Sequence, residues 1–254
     1  MKLLFLGTGA ADWDPDPQNT EGIRRMSSAM VDDDLLIDVA PASYKFFKHL
    51  GKDESKITKR ILTHSHEDHL SPRDLSGFAS LGSVKFWCHE GVQEKLANMN
   101  ISNLEVYTLS PFAKVKEGNY TITPLPANHW VEDTCEVAFH YIIEKDGKKL
   151  FYGCDGGWFL DRTWCCIREQ KFDCAVLECT VGDDNFNWRI GSHNGISMVR
   201  LLAGTMRKNG ILGDNSKLLV SHMAKTLHDS IENTEKKLEK YGITAAFDGL
   251  EVTI

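Results

Sequence analysis

A dense group of potential metal ligands occupies one short stretch of the chain. Three histidines and an aspartate lie within six residues, at His64, His66, Asp68 and His69, directly after the apolar pair Ile61-Leu62. Imidazole nitrogens and carboxylate oxygens are ligands that suit zinc, manganese and iron. His64 and His66 are two residues apart, so on an extended turn both side chains can point the same way. Asp68 and His69 can then face a second ion.

This stretch alone cannot supply the four to six ligands that each ion needs. Three further candidates, His129, Asp155 and His222, each follow an apolar run that is typical of a strand. Strand ends at one edge of a sandwich can bring such side chains together on a rigid scaffold. A carboxylate such as Asp155 can bridge two ions about 3.5–4 Å apart, the separation typical of two-metal hydrolytic sites.

Apolar periodicity predicts the elements that must position these residues. We expect helices at 41–50, 72–80, 90–98, 157–169, 195–208 and 226–241. We expect strands at 2–6, 27–31, 35–39, 60–63, 84–88, 104–109, 120–124, 137–144, 149–153, 174–179 and 218–221, with two more near the end of the chain. No linker or low-complexity segment divides the sequence, which favours one α/β domain over residues 1–254, with two sheets inside and helices outside. His228 should lie on the solvated face of the last helix.

Composition excludes several classes of function. The 254 residues carry a formal net charge of −7, which argues against a general electrostatic attachment to nucleic acid or to an anionic membrane. A small phosphorylated substrate stays compatible, because bound cations would add positive charge. Seven cysteines without a CxxC pair indicate reduced thiols in the cytoplasm. The sequence has no pattern typical of a signal peptide or a membrane span.

The ligand pattern resembles a known family over essentially the whole chain. His64-x-His66-x-Asp68-His69, followed in order by His129, Asp155 and His222, is similar to the metallo-β-lactamase superfamily of dinuclear hydrolases. The resemblance implies an αββα sandwich of two mixed β-sheets flanked by helices. It also implies two divalent ions, zinc or manganese with iron as a further candidate. One ion would be held by His64, His66 and His129, the other by Asp68, His69 and His222, with Asp155 bridging them.

Other segments resemble the phosphodiesterase branch of this superfamily. They are Leu6-Gly7-Thr8-Gly9, Arg25-x-Ser27-Ser28, Leu36-Ile37-Asp38, 176–180 and Ser192-His193-Asn194. The branch contains tRNA 3′-end processing endonucleases and the cyclic phosphodiesterase of phosphonate breakdown. It implies hydrolysis of a small phosphodiester, which could be cyclic, and a place for His193 near the scissile phosphate.

We expect Asp68 or Asp155 to orient or deprotonate the attacking water. We favour His193 as the donor to the phosphate or to the leaving oxygen; the alternative is a capping or packed histidine before the helix at 195–208. Glu178 is either a partner of a ligand histidine or a surface acid at a strand end. Three tryptophans, at 130, 158 and 188, could stack a sugar or a base; packing in the core or at the rim is the interpretation that we favour for each.

Rival functions share the same ligands. A thioester or lactone hydrolase would differ only in the pocket. A tRNA 3′-processing endonuclease would need a basic face and a clamp, neither of which the acidic sequence shows. A non-catalytic metal-binding module usually shows loss of ligands, and all seven ligand positions are filled here. A homodimer is compatible with the sequence.

Overall fold

The computed structural model describes residues 1–18, 22–80, 82–132 and 135–254. Its strands within these ranges form two sheets of seven strands each. The first sheet contains β1 (Lys2–Gly7), β2 (Ser28–Val31), β3 (Leu35–Ile37), β4 (Lys59–Ile61), β5 (Val84–His89), β6 (Leu104–Leu109) and β14 (Glu251–Thr253). The second contains β7 (Val115–Glu117), β8 (Tyr120–Pro126), β9 (Phe139–Lys145), β10 (Lys148–Gly153), β11 (Phe172–Glu178), β12 (Leu212–Ser221) and β13 (Thr244–Ala245).

Both sheets mix parallel and antiparallel pairs. The first has the order β14-β1-β2-β3-β4-β5-β6, antiparallel from β14 to β3 and parallel from β3 to β6. The second has the order β13-β12-β11-β10-β9-β8-β7, parallel from β13 to β10 and antiparallel from β10 to β7. Parallel strands need crossover connections, and most of the helices lie in these connections.

The helices pack on the outer faces of the two sheets. They are α1 (Ser43–His49), α2 (Pro72–Ala79), α3 (Gln93–Asn98), α4 (Asp161–Ile167), α5 (Ile196–Lys208) and α6 (Ile231–Glu239). Three short 3-10 turns accompany them, at Glu54–Lys56, Glu90–Val92 and Trp188–Gly191. Among the described residues, no helix is both long and apolar enough to cross a bilayer.

The core is divided into three layers of apolar contacts, which explains why the strands read as continuous apolar runs. In β1, Leu3 and Phe5 face the second sheet, whereas Leu4 and Leu6 face α1 and α2. Alternate residues of β11 likewise belong to the layer between the sheets and to the layer beneath α5 and α6. The αββα sandwich expected from the sequence is therefore confirmed.

The last predicted helix is shorter than expected. Residues 225 and 226 do not join it, because the carboxylate of Asp12 accepts hydrogen bonds from their backbone N–H groups at 2.7 and 2.8 Å. Ser230 then caps the helix by accepting from Asn233 N at 3.2 Å. The prediction that His228 is a solvated helix residue is wrong: its Nε2 donates to the carbonyl of Cys179 at 2.7 Å.

The predicted segment 157–169 is helical only over Asp161–Ile167. The predicted segment 90–98 divides into the 3-10 turn Glu90–Val92 and α3. All seven cysteines are free thiols, as expected. The assignment of residues 1–254 to a single domain stays a prediction.

Candidate metal centre

The candidate ligands lie at strand ends along one edge of the sandwich. The stretch that begins with His64 leaves β4, in the first sheet. In the second sheet His129 follows β8, Asp155 follows β10 and His222 follows β12 directly. The structure brings all seven predicted ligand residues together. Their roles as ligands stay predictions until metal binding is measured.

The first group consists of His64, His66, His129 and Asp155, whose ligand atoms all lie within 4.8 Å of one another. His64 Nε2 is 2.9 Å from His66 Nδ1, and His129 Nε2 is 3.1 Å from the same atom. Asp155 Oδ2 lies 3.6 Å from both His64 Nε2 and His129 Nε2. Three imidazole nitrogens and one carboxylate oxygen therefore converge, a set that suits a four-coordinate cation.

The second group consists of Asp68, His69, His222 and Asp155. His222 Nε2 is 2.8 Å from Asp155 Oδ1 and 3.3 Å from Asp68 Oδ2. His69 Nε2 is 3.5 Å from Asp155 Oδ2. Asp155 thus belongs to both groups and presents an oxygen to each, as a bridging carboxylate would.

The outward nitrogens of His66 and His129 reveal which ring atoms carry hydrogen. His66 Nε2 is 2.9 Å from the Glu132 carboxylate, and His129 Nδ1 is 3.5 Å from the carbonyl oxygen of Ser192. A carboxylate and a carbonyl can only accept, so both of these nitrogens donate. In the neutral rings, His66 Nδ1 and His129 Nε2 then point lone pairs inward.

Asp38 fixes the other two histidines of the first sheet. Its Oδ2 accepts from His69 Nδ1 and from Thr63 Oγ1, both at 2.8 Å, and its Oδ1 accepts from Thr63 N at 2.7 Å. Because Thr63 Oγ1 gives its hydrogen to Asp38, it accepts from His64 Nδ1 at 3.1 Å. The lone pairs of His64 and His69 therefore also face inward.

Glu178 orients His222 in the second sheet through Thr180. The fully buried Glu178 carboxylate accepts from Thr180 Oγ1 and from Thr180 N. Thr180 Oγ1 in turn accepts from His222 Nδ1 at 2.8 Å. Five inward ring nitrogens beside two carboxylates form a set of donor atoms that a bound cation would satisfy, so the residues present fit a metal site.

The two groups differ in electrostatics. Burial, with the neighbouring imidazoles, holds the pKa of His64 well below its usual range and lowers the pKa of His129 to about 4. Burial also opposes charge on His222, but the adjacent Asp155 outweighs it and raises the pKa of His222 to about 10. His64 and His129 of the first group therefore stay neutral, whereas the carboxylates of the second group favour positive charge on His222.

Three residues of the site adopt left-handed backbone conformations. The φ angles are 59° at Asp38, 38° at Asp155 and 55° at His222. Such angles are uncommon outside glycine and cost on the order of 1–3 kcal/mol each. Each of the three comes within two residues of a strand end, where the turn redirects the side chain into the centre.

His193 lies beside the second group without belonging to the proposed ligand set. Its ring stacks on His222 with 5.9 Å between centroids, and its Nδ1 is 3.6 Å from Glu178 Oε1 and 3.2 Å from Thr180 Oγ1. Burial opposes a charged ring, but the Glu178 carboxylate outweighs it and raises the pKa of His193. His193 faces the cleft that contains the metal groups, so packing alone does not account for its position.

Sequence reasoning missed Asp38, Thr63, Thr180 and Glu132 as parts of the site. Asp38 stands at the end of an apolar run, the same signal that identified Asp155. The threonines precede or lie near ligand positions, but only the fold reveals which carboxylate each one contacts. Of the two roles considered for Glu178, the structure supports the partner of a histidine.

Comparison with known proteins agrees with the metal site that the geometry indicates. The family model described as a beta-lactamase superfamily domain matches residues 34–222, which is most of the chain. The protein belongs to this family.

A ribonuclease Z from Methanocaldococcus jannaschii is 30% identical over 146 residues, which cover 52% of this chain and 45% of that protein. The match thus spans less than half the length of that relative. This match to a ribonuclease agrees with the resemblance to the phosphodiesterase branch that the sequence shows.

Two solved structures share the fold. Zinc-bound PqqB from Methylobacterium extorquens superposes with a TM-score of 0.79 at 19% identity, over 100% of both chains. A diphosphatase of the PhnP family gives a TM-score of 0.77 at 18% identity, over 100% of this chain and 97% of that chain. At these identities the likeness shows the fold alone.

Proposed function

We propose that the protein is a metal-dependent hydrolase of phosphodiesters that binds two divalent ions, zinc or manganese. One observation carries this proposal: the inward ring nitrogens of five histidines converge on two adjacent groups that share Asp155. His64, His66 and His129 would hold one ion. Asp68, His69 and His222 would hold the other. The zinc in the PqqB structure supports zinc as the first candidate.

The residues around the ions have distinct tasks in this proposal. When bound, the two ions would supply a strong oxygen nucleophile near neutral pH and would neutralise charge on the phosphoryl oxygens. Asp155 holds the two ligand groups at a fixed separation, and Asp68 is placed to orient the attacking water. His193, with its pKa raised beside Glu178, donates a proton or hydrogen bond to the phosphate or the leaving oxygen.

The choice of phosphodiesters over other esters is supported by the relatives and by His193. The curated relative is a ribonuclease and one structural neighbour is a diphosphatase. A protonated histidine beside a two-ion centre suits a leaving oxygen that must be protonated. A thioester hydrolase has the same ligands and no such need for a donor, since a thiolate leaves readily.

Processing of tRNA is the second candidate function, because ribonuclease Z matches half of this chain. The net charge of −7 favours a small substrate, since contacts to many phosphates require a basic surface.

A substrate panel tests the proposed activity. Purified protein loaded with zinc or manganese should hydrolyse bis-p-nitrophenyl phosphate or a cyclic nucleotide, and it should leave thioesters and lactones intact. Cleavage of thioesters or lactones with every phosphodiester intact would refute the proposal. Cleavage of a precursor tRNA at its 3′ end, much faster than any small phosphodiester, would favour the second candidate.

Two variants separate metal binding from proton donation. His64→Ala should lose both bound metal and hydrolysis, because it removes a ligand. On a cyclic nucleotide, whose leaving oxygen must be protonated, His193→Ala should lose hydrolysis by about 100-fold or more and keep both ions. Metal loss in His193→Ala would show that His193 acts through the centre rather than on the substrate.

A further inference from the structure

Two exposed tryptophans line the cleft that contains the metal groups. Trp130 is 70% exposed and Trp188 is 79% exposed. Both line a cleft of about 420 Å³, together with His129 and His193. This is the size of a pocket for one small molecule. Of the two packing roles that the sequence favoured, a place in the core is wrong for both residues, because most of each indole is in water.

The loops that carry the two indoles are fixed to the metal centre and to each other. Trp130 directly follows His129, and Trp188 begins the 3-10 turn that ends at Gly191. Asn128 Nδ2 donates to the carbonyl of Gly191 at 3.2 Å, which joins the two loops. The two loops therefore keep both tryptophans near the candidate metal centre before a ligand arrives, which lowers the entropic cost of binding.

Arg189 adds a positive charge to the cleft beside the two tryptophans. Its guanidinium lies over the Trp188 ring, with Cζ 4.8 Å from the ring centroid. Among the described residues, no other lysine or arginine lines the cleft. Because the guanidinium occupies one face of the indole, the other face stays open to a planar ring.

We propose that Trp130, Trp188 and Arg189 form a subsite for a planar aromatic ring carried on the ester arm that is not the leaving group. The indoles stack on the ring, and Arg189 pairs with an anionic oxygen of the substrate. This inference rests on the proposed phosphodiesterase function and specifies its substrate class. The ring is a nucleobase or another aryl group, and the substrates below separate the two.

Esters with one common leaving group test the subsite. Benzyl, cyclohexylmethyl and thymidine 5′-esters of p-nitrophenyl phosphate all release p-nitrophenolate, so they differ only in the other arm. Stacking on an aromatic side chain predicts a kcat/KM for the benzyl ester between about fivefold and a hundredfold above that for the cyclohexylmethyl ester. A still higher value for the thymidine ester identifies a nucleobase, whereas a value below that for the benzyl ester identifies another aryl group.

Variants assign this preference to the indoles. Trp130→Ala and Trp188→Ala should each lower kcat/KM for the ring-bearing esters by at least fivefold and should leave the cyclohexylmethyl ester within about twofold. Phe186→Ala is the matched control, because Phe186 is 97% exposed and is not among the residues lining the cleft; it should change neither. Equal rates for the benzyl and cyclohexylmethyl esters, or equal losses on both in the tryptophan variants, would overturn the subsite.

Binding without turnover provides an independent measurement. Thymidine 5′-monophosphate should quench the tryptophan fluorescence of the zinc-loaded protein, and Trp130→Ala and Trp188→Ala should each weaken its affinity at least fivefold. Arg189→Gln should weaken binding of the monophosphate more than binding of thymidine. Affinities unchanged in all three variants would refute the subsite. If no phosphodiester is hydrolysed, the proposed function fails, while this titration still decides on the subsite.

Discussion

The two sheets end at the metal centre in similar arrangements. In the first sheet, Asp38 accepts from Thr63, and Thr63 accepts from His64. In the second, Glu178 accepts from Thr180, which accepts from His222. Each arrangement consists of a buried carboxylate, a threonine and a histidine. In each arrangement the Nδ1 atom of the histidine donates to the threonine, and its Nε2 atom therefore faces the centre.

The arrangements differ in what else the carboxylate contacts. Asp38 also accepts from His69, a second proposed ligand. Glu178 instead lies near His193, which faces the cleft and is outside the proposed ligand set. The carboxylate of the first arrangement therefore contacts proposed metal ligands only, whereas that of the second serves one proposed ligand and the proposed proton donor. Substitutions in the first arrangement should act on metal binding and stability, and those in the second should in addition act on the rate at saturating metal.

Asp38→Ala should have the largest effect. It leaves three buried donors without an acceptor, namely Thr63 N, Thr63 Oγ1 and His69 Nδ1. We expect a loss of about 3–5 kcal/mol in the free energy of unfolding and a loss of bound metal. Chemical denaturation and metal analysis measure the two effects. Asp38→Asn is the matched control, since it keeps one acceptor and should lose less; equal stability of Asp38→Ala and wild type would contradict this role.

Glu178→Gln should lower the rate about 10–100-fold and keep both ions. The amide preserves the shape of the side chain but removes the charge that raises the pKa of His193. Steady-state kinetics on a phosphodiester, with metal content determined on the same sample, checks this prediction. If Glu178→Gln lost metal as completely as Asp38→Ala, the proposed difference in role between Glu178 and Asp38 would be wrong.

Thr63→Val and Thr180→Val form the sharpest matched pair. Both replace a hydroxyl by a methyl group of similar size, and both break the connection between a carboxylate and a histidine. Each should weaken metal affinity about tenfold, because the outer hydrogen bond of a ligand is lost. Thr180→Val should also slow hydrolysis at saturating metal, since Thr180 contacts His193. Competition with a chelator measures the affinities, and identical rates for the two variants would remove the distinction.

His140 should give the smallest effect, because no carboxylate among the described residues accepts a hydrogen bond from this buried histidine. Burial lowers its pKa to about 4, even though its Nδ1 donates to the carbonyl of Cys154. A folded pKa below the unfolded value of about 6.5 means that the unfolded chain takes up the proton first, so this contribution to stability is present above pH 6.5 and is lost toward pH 4.

His140→Phe should therefore reduce the loss of stability between pH 6.5 and 5.5 by about 1 kcal/mol. Urea denaturation at several pH values, with a fixed metal content, measures the slope. A slope equal to that of the wild type would contradict a neutral His140 in the folded protein.

The sequence predicted the parts of the centre that depend on local pattern. Histidines and an aspartate close together in one stretch, and single ligands after apolar runs, identify His64, His129, Asp155 and His222 because strand ends meet at a sheet edge. It could not predict that Asp38 contacts His69 or that Glu132 contacts His66. Such pairs join residues from different strands and loops, and no periodicity records them.

Local pattern also failed where long-range contacts compete with it. The charged segment 226–241 has helical periodicity, yet its beginning is held by Asp12, more than two hundred residues away in the chain. Trp130 and Trp188 are large apolar residues of a type that usually packs in a core, but both line the cleft. In both cases the deciding interaction is tertiary.

Titration of metal-free protein with zinc or manganese tests the central claim most directly. Hydrolysis of a small phosphodiester should rise as the second equivalent of metal is added and should saturate at two equivalents per chain, because the two ligand groups share Asp155. Saturation at one equivalent, or no phosphodiester hydrolysis at any metal concentration, would contradict a two-ion phosphodiesterase.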